Sequence, residues 1–215
     1  VNYRYFVNHL VKYYCMNELS TEQKILNAAK KVFVTQGMAA ARMQDIADEA
    51  GINKALLHYY FRNKEQLFAQ IFAEARVELI PKINEILRSD LPLFDKIRQF
   101  VARYIDIIKA NPYLPLFVLN EMNRNPLTFS QTIFQNETPQ LDILLTQLEV
   151  AMDNGEIKPT NPMHLIINMM GLCIFPFVGK PMIQMMMQLN DEQFLNLMEQ
   201  RKTIVADFII QSIKK

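Results

Sequence analysis

Asn53, Lys54, His58, Tyr59 and Tyr60 fall within eight residues of one another, and their chemistry is that of hydrogen-bonding tips on an otherwise short segment. An amide, an ammonium, an imidazole and two phenols in such a run suit the recognition of phosphate oxygens and base edges. Ala55 and Leu56 lie among them. Ala55 is small enough for close backbone approach, and Leu56 can touch a thymine methyl but donates nothing. Arg42 and Gln44 precede the group and Lys64 follows it. Bond-breaking chemistry needs other patterns. The chain holds no nucleophile–base pair, metal-ligand cluster, glycine-rich phosphate loop or carboxylate dyad at useful spacing, and its only histidines are His9, His58 and His164. Neither an enzyme, nor a cofactor, nor a metal site is expected.

Two short helices must position those tips. Met43 to Ala50 places Ile46, Ala47 and Ala50 on one face, Gly51 supplies a residue tolerant of positive φ, and Ile52 and Leu57 are inward anchors for the next helix. Phe61 belongs to the core. This is the layout of a helix-turn-helix, whose second helix enters the DNA major groove. Asn53 is its N-cap, and the amides behind it favour a phosphate. Arg42 and Lys64, as phosphate contacts, bear on affinity more than on specificity. Upstream, Ser20 or Thr21 caps a helix that buries Ile25, Ala28, Ala29, Val32 and Phe33 and stops at Gly37.

The runs ILNAAKKVFVTQG and MQDIADEAGINKALLHYYFRNKEQLF carry a family resemblance over roughly 50 residues, Thr21 to Phe68. The segment resembles the DNA-binding domain of the TetR/AcrR family of bacterial transcriptional regulators: a first helix ending at Gly, an Ile-Ala pair, Ala-Gly, a polar-Lys step, Leu, a Tyr-Tyr-Phe close and a Lys-Glu step into the fourth helix. Three places depart. Ala41 and Arg42 stand where the family has a capping Thr or Ser, Ala55 and Leu56 replace a Gly-Thr pair, and His58 replaces a Tyr. The resemblance implies a homodimer on a palindromic double-stranded operator and a C-terminal helical domain whose small-molecule effector weakens DNA binding. The operator sequence stays open, because the departures fall among the reading residues.

Composition agrees with an all-α chain. Half of the 215 residues are hydrophobic and glycine is scarce, with five. The net charge of +1 does not by itself point to nucleic acid, but from Val1 to Gln66 nine basic residues face six acidic ones, an excess that the remainder reverses. Three parts are expected: an N-terminal extension over 1–19, the helix-turn-helix domain over 20–66, and a larger helical domain for effector binding and dimerisation over 67–215. Val1 to Cys15 is aromatic-rich and reads as an extension upstream of a natural start at Met16. Cys15 and Cys173 form neither a metal spacing nor a disulfide framework, so a reducing cytoplasm is expected. Leu165 to Val178 is apolar but too short for a membrane span and contains Asn168 and Pro176.

Beyond the DNA-binding module the periodicity predicts helices from about Asn63 to Leu79 with a kink or stop at Pro81, then Pro92–Lys109, Tyr113–Asn123, Gln140–Met152, a helix from the Asn161 cap, and Asp191–Ile213. Asn125 to Gln140 reads as a loop or broken helix. Phe100, Tyr104, Phe117, Asn120, Glu121, Met170 and Cys173 are the candidate effector contacts, in a chain whose late methionines and aromatics suit an apolar ligand. Ile167, Gly171, Ile174, Leu197, Met198, Arg201, Val205 and Phe208 are the candidate dimer contacts. The alternative reading is a helical adaptor whose N-terminal helices bind protein; a salt-dependent affinity for duplex DNA separates the two.

Overall fold

The computed structural model describes residues 19–112, 114–124 and 138–215. The Val1–Cys15 extension and most of the Asn125–Gln140 segment, with Phe129 and Phe134, lie outside these residues. Ten helices are described: α1 (Thr21–Ala40), α2 (Met43–Ala50), α3 (Lys54–Tyr60), α4 (Lys64–Arg88), α5 (Leu93–Ala110), α6 (Leu114–Arg124), α7 (Leu141–Asp153), α8 (Pro162–Val178), α9 (Lys180–Met187) and α10 (Asp191–Ile213). Among the described residues the only strand-like pairing is a single bridge between Ile157 and Lys214. The all-α reading holds.

Contacts divide the chain between Phe72 and Ala73, inside α4. In the first unit Ser20 caps α1, its Oγ accepting from the Gln23 N–H at 3.1 Å. The backbone leaves helical geometry at Gly37 (φ 75°, ψ 155°), a conformation open essentially to glycine alone. Ile25, Leu26, Ala29 and Phe33 of α1 are buried with Ile46 and Ala47 of α2, and the Phe33 and Phe68 rings lie 5.5 Å apart. α1 and α2 form the most extensive helix pair of this unit.

In the second unit α5 packs most extensively on α10, and α8 packs on both. Phe100, Val101, Ile105, Met169, Cys173, Phe194, Met198, Val205 and Ile209 fill the space between them. Three ion pairs run along the α5–α10 seam: Arg98 with Asp207, Asp106 with Lys202 at 2.5 Å, and Lys109 with Glu199. Buried Asn84 donates to the Thr138 carbonyl and accepts from the Gln140 N–H, which seats the start of α7. The buried Lys96 ammonium donates to the Leu87 carbonyl at 2.9 Å, supplying a partner near the C-terminal end of α4.

Two features differ from expectation. α4 runs through Pro81 to Arg88. A proline forfeits its own N–H bond, here to the Val77 carbonyl, and crowds that carbonyl with its ring, but Ile80, Ile83 and Leu87 bury around it and hold the helix together. α9 was not anticipated. The chain bends by 71° between α8 and α9, and α9 fully buries none of its residues; Ile183 alone of its large apolar side chains packs partly against the core.

Candidate functional site

The turn between α2 and α3 is made by the backbone. Gly51 adopts φ 67° and ψ 33°, and the Ile52 N–H reaches back to the Ala47 carbonyl at 3.0 Å, which closes the C-terminus of α2. Asn53 then caps α3, its Oδ1 accepting from the Leu56 N–H at 2.7 Å. Leu57 is fully buried and Phe61 nearly so, while Ile52 is half-buried. These anchors turn the rest of α3 outward. Asn53, Lys54, Ala55, Leu56, His58, Tyr59 and Tyr60 are all exposed, Tyr59 at 81%. The Tyr59 and Tyr60 rings meet edge to face with centroids 5.4 Å apart. A seven-residue helix therefore carries one buried aliphatic anchor and an outer face on which Lys54, His58, Tyr59 and Tyr60 end in polar atoms and Ala55 and Leu56 do not.

The flanking residues are more committed to the protein itself. Arg42 is exposed at the entry to α2, where its N–H donates to Asp45 Oδ2 at 3.2 Å. Gln44 donates to Asp48 Oδ1 at 2.7 Å on the same helix. His58 Nδ1 lies 3.2 Å from the Arg62 carbonyl. Lys64 is half-buried and its Nζ donates to the Ala41 carbonyl at 3.3 Å, tying the start of α4 to the entry of α2. That tie was invisible in the sequence, since the two residues stand 23 positions apart.

The second unit gathers four of the candidate effector residues. Phe100 is buried and stacks on Tyr104 with centroids 5.7 Å apart. Cys173 is buried and Met170 half-buried on α8. Burial pushes the Cys173 thiol up to about 12, against the opposing field of Arg201. Burial also raises the Tyr104 phenol, with Cys173 adding to the effect. The side chains of Phe117, Asn120 and Glu121 lie outside the described residues. A groove of about 330 Å³ opens elsewhere, between α4 and α5; Lys82, Glu85, Arg103 and Asp106 make it polar, and none of the candidate effector residues lines it.

The candidate dimer residues split. Ile167 and Phe208 are exposed at 60% and 65%, and Gly171 faces open space. Ile174 and Leu197 are half-buried against the core. Met198 and Val205 must be reassigned: both are buried in the core of their own protomer and present nothing to a second chain. Arg201 is half-buried, and its Nη2 donates to the Leu172 carbonyl at 2.7 Å. The exposed apolar faces instead include Met163 and Phe175 on α8 and Ile204 on α10, which continue the spacing of Ile167 and Phe208. That continuation was available as an i, i+4 pattern.

Residues 25–71 match the model of the bacterial regulatory proteins, tetR family. An uncharacterized HTH-type transcriptional regulator, YhgD of Bacillus subtilis, is 24% identical over 67% of this chain and 75% of its own length. The fatty acid metabolism regulator protein of the same species is 24% identical over 63% of this chain and 70% of its own. Among solved structures, that of the transcriptional regulator FadR from Bacillus subtilis in complex with stearoyl-CoA shares the fold, with a TM-score of 0.60 and 20% identity over 87% of this chain and 96% of that one.

Proposed function

We propose, from the premise that the chain belongs to the tetR family of bacterial regulatory proteins, that this DNA-binding transcriptional regulator is a repressor released from a palindromic operator by a small, mostly apolar molecule. The observation that carries the DNA end of this reading is the outer face of α3, exposed from Asn53 to Tyr60 except for Leu57. Lys54 and the tips of His58, Tyr59 and Tyr60 read base edges or phosphates; Arg42, Gln44 and Lys64 flank them. Ala55 and Leu56 admit a close, partly apolar contact in the major groove.

The homodimer forms through α8 and α10. Ile167 and Phe175 on α8, with Ile204 and Phe208 on α10, leave a run of aliphatic and aromatic surface exposed, and Gly171 lets a second helix come close. A two-fold axis there presents two recognition helices to successive major grooves. The effector lodges in the second unit near Phe100, Tyr104, Met170 and Cys173. Support for an apolar effector comes from the apolar character of these residues and from relatives named for fatty acid metabolism and solved with stearoyl-CoA. Effector binding favours a dimer whose recognition helices no longer match the groove spacing, a shift of population between two states.

Nuclease footprinting of the DNA upstream of the protein's own gene tests the reading. Protection of a palindrome that weakens steeply with salt is the expected result. No protected palindrome, or binding indifferent to salt, overturns it in favour of a helical adaptor.

A further inference from the structure

Pro176 interrupts the hydrogen-bond ladder of α8, and the consequence reaches across to α10. In a helix the Leu172 carbonyl accepts from the residue four positions on, which here is a proline without an N–H. Arg201 Nη2 fills that vacancy at 2.7 Å. The guanidinium is thereby drawn inward, and its Nε is left buried with no hydrogen-bond partner. Arg201 also takes part in no ion pair among the described residues, although its neighbours Glu199 and Lys202 on α10 both do. Its charge opposes the burial that raises the Cys173 thiol, and on α5 the Tyr104 ring stacks on Phe100.

A half-buried cation with a sealed, unused donor and no counter-charge is costly unless something anionic completes it. We propose that Arg201 anchors the anionic head of an amphipathic effector, a carboxylate carried on an apolar chain that lies along Phe100, Tyr104 and Met170. The inference rests on the apolar-effector reading above and adds its polar end. A carboxylate beside Nε accepts the bond and also supplies the counter-charge, which a neutral ligand such as an alcohol does not. Because Nε is closed to solvent, the head group enters only if α8 and α10 shift locally, and this couples binding to a change in the helices assigned to the dimer face.

Calorimetric titration of the full chain with decanoate and with 1-decanol, ligands of equal chain length, tests the anchor. Decanoate is expected to bind at least about tenfold more tightly. R201M is expected to abolish that preference while retaining decanol binding. R201M also strips the donor from the Leu172 carbonyl and could unfold the unit, so a second variant, R201K, keeps a cation and a donor but lacks the Nε–H. It assigns the Arg201 Nε–H resonance in the wild-type nitrogen-15 NMR spectrum by its disappearance. That resonance is expected to move with decanoate and not with decanol. Equal affinity for the two ligands, or an Nε–H signal indifferent to decanoate, overturns the anchor and leaves the apolar effector standing. Binding of neither ligand overturns both.

Discussion

The outer face of α3 and the outer faces of α8 and α10 are both aromatic-rich and exposed, yet they are built for different surfaces. On α3 every large exposed group except Leu56 ends in a polar atom, and the helix is held by one fully buried residue, Leu57. On α8 and α10 the exposed large apolar groups include Ile167, Phe175, Ile204 and Phe208, which end in carbon, and both helices are fixed by long buried stripes. Polar tips are easily left in water and suit a partner rich in phosphates and base edges. Carbon tips gain only when covered by more carbon, as a second copy of the same face would do.

The largest effect expected from this contrast is on assembly. Replacing Ile204 and Phe208 together with Glu places four charges in a two-fold interface. Each hot-spot loss of about 2 kcal/mol counts twice, so the two residues together lower dimer affinity by about a millionfold. Sedimentation equilibrium should show a folded monomer, and operator binding should vanish with the dimer. A variant that stays dimeric removes α10 from the interface. Met198→Ala makes the complementary point, since it should lower the melting temperature and leave assembly alone.

Next in size is the support under the reading face. Leu57→Ala empties the only fully buried position of α3 and should cost about 3 kcal/mol of stability in the first unit. Thermal unfolding monitored by circular dichroism measures it. A change below about 1 kcal/mol means that Leu57 is not the pin of the recognition helix.

The contrast explains what the sequence disclosed. The helix-turn-helix is local: Gly51, the Asn53 cap and the inward Leu57 lie within seven residues, so turn chemistry and periodicity suffice to read it. The second unit is settled by long-range choices. Met198, Val205 and Phe208 all fit one apolar stripe on α10, and only the packing of α5 and α8 decides that the first two are core and the third is surface. Arg201 looked like part of that stripe because nothing nearby in sequence reveals that Pro176, 25 positions earlier, leaves a carbonyl for it to fill. Lys64 and Ala41 are joined in the same unreadable way.

A smaller effect separates reading from support on α3 itself. Lys54 is exposed and begins α3, and its side chain makes no hydrogen bond or ion pair among the described residues. Lys54→Ala should therefore leave the melting temperature nearly unchanged. It should weaken operator binding by about tenfold and reduce the salt slope by about one unit. Lys64→Ala should do both kinds of damage, because the Ala41 carbonyl loses its donor as well. If Lys54→Ala and Lys64→Ala behave alike in stability, the division between a reading and a supporting lysine is wrong.

The smallest effect concerns the seam that backs the dimer face. Hydrogen bonds from Lys109 and Lys202 hold the Glu199 carboxyl at about 2, below its ordinary value of 4.5. A carboxylate whose folded value is depressed stabilises the fold fully above the unfolded value and loses that contribution as pH falls toward the folded one. Glu199→Gln should therefore lower the melting temperature slightly at neutral pH, and the gap from the wild type should close between pH 4.5 and about 2. Because Glu199 lies at the surface, half-molar salt should shrink the same gap at neutral pH. A gap that ignores both acid and salt assigns Glu199 a packing role and removes its ion pair with Lys109 from the forces that hold the α5–α10 seam.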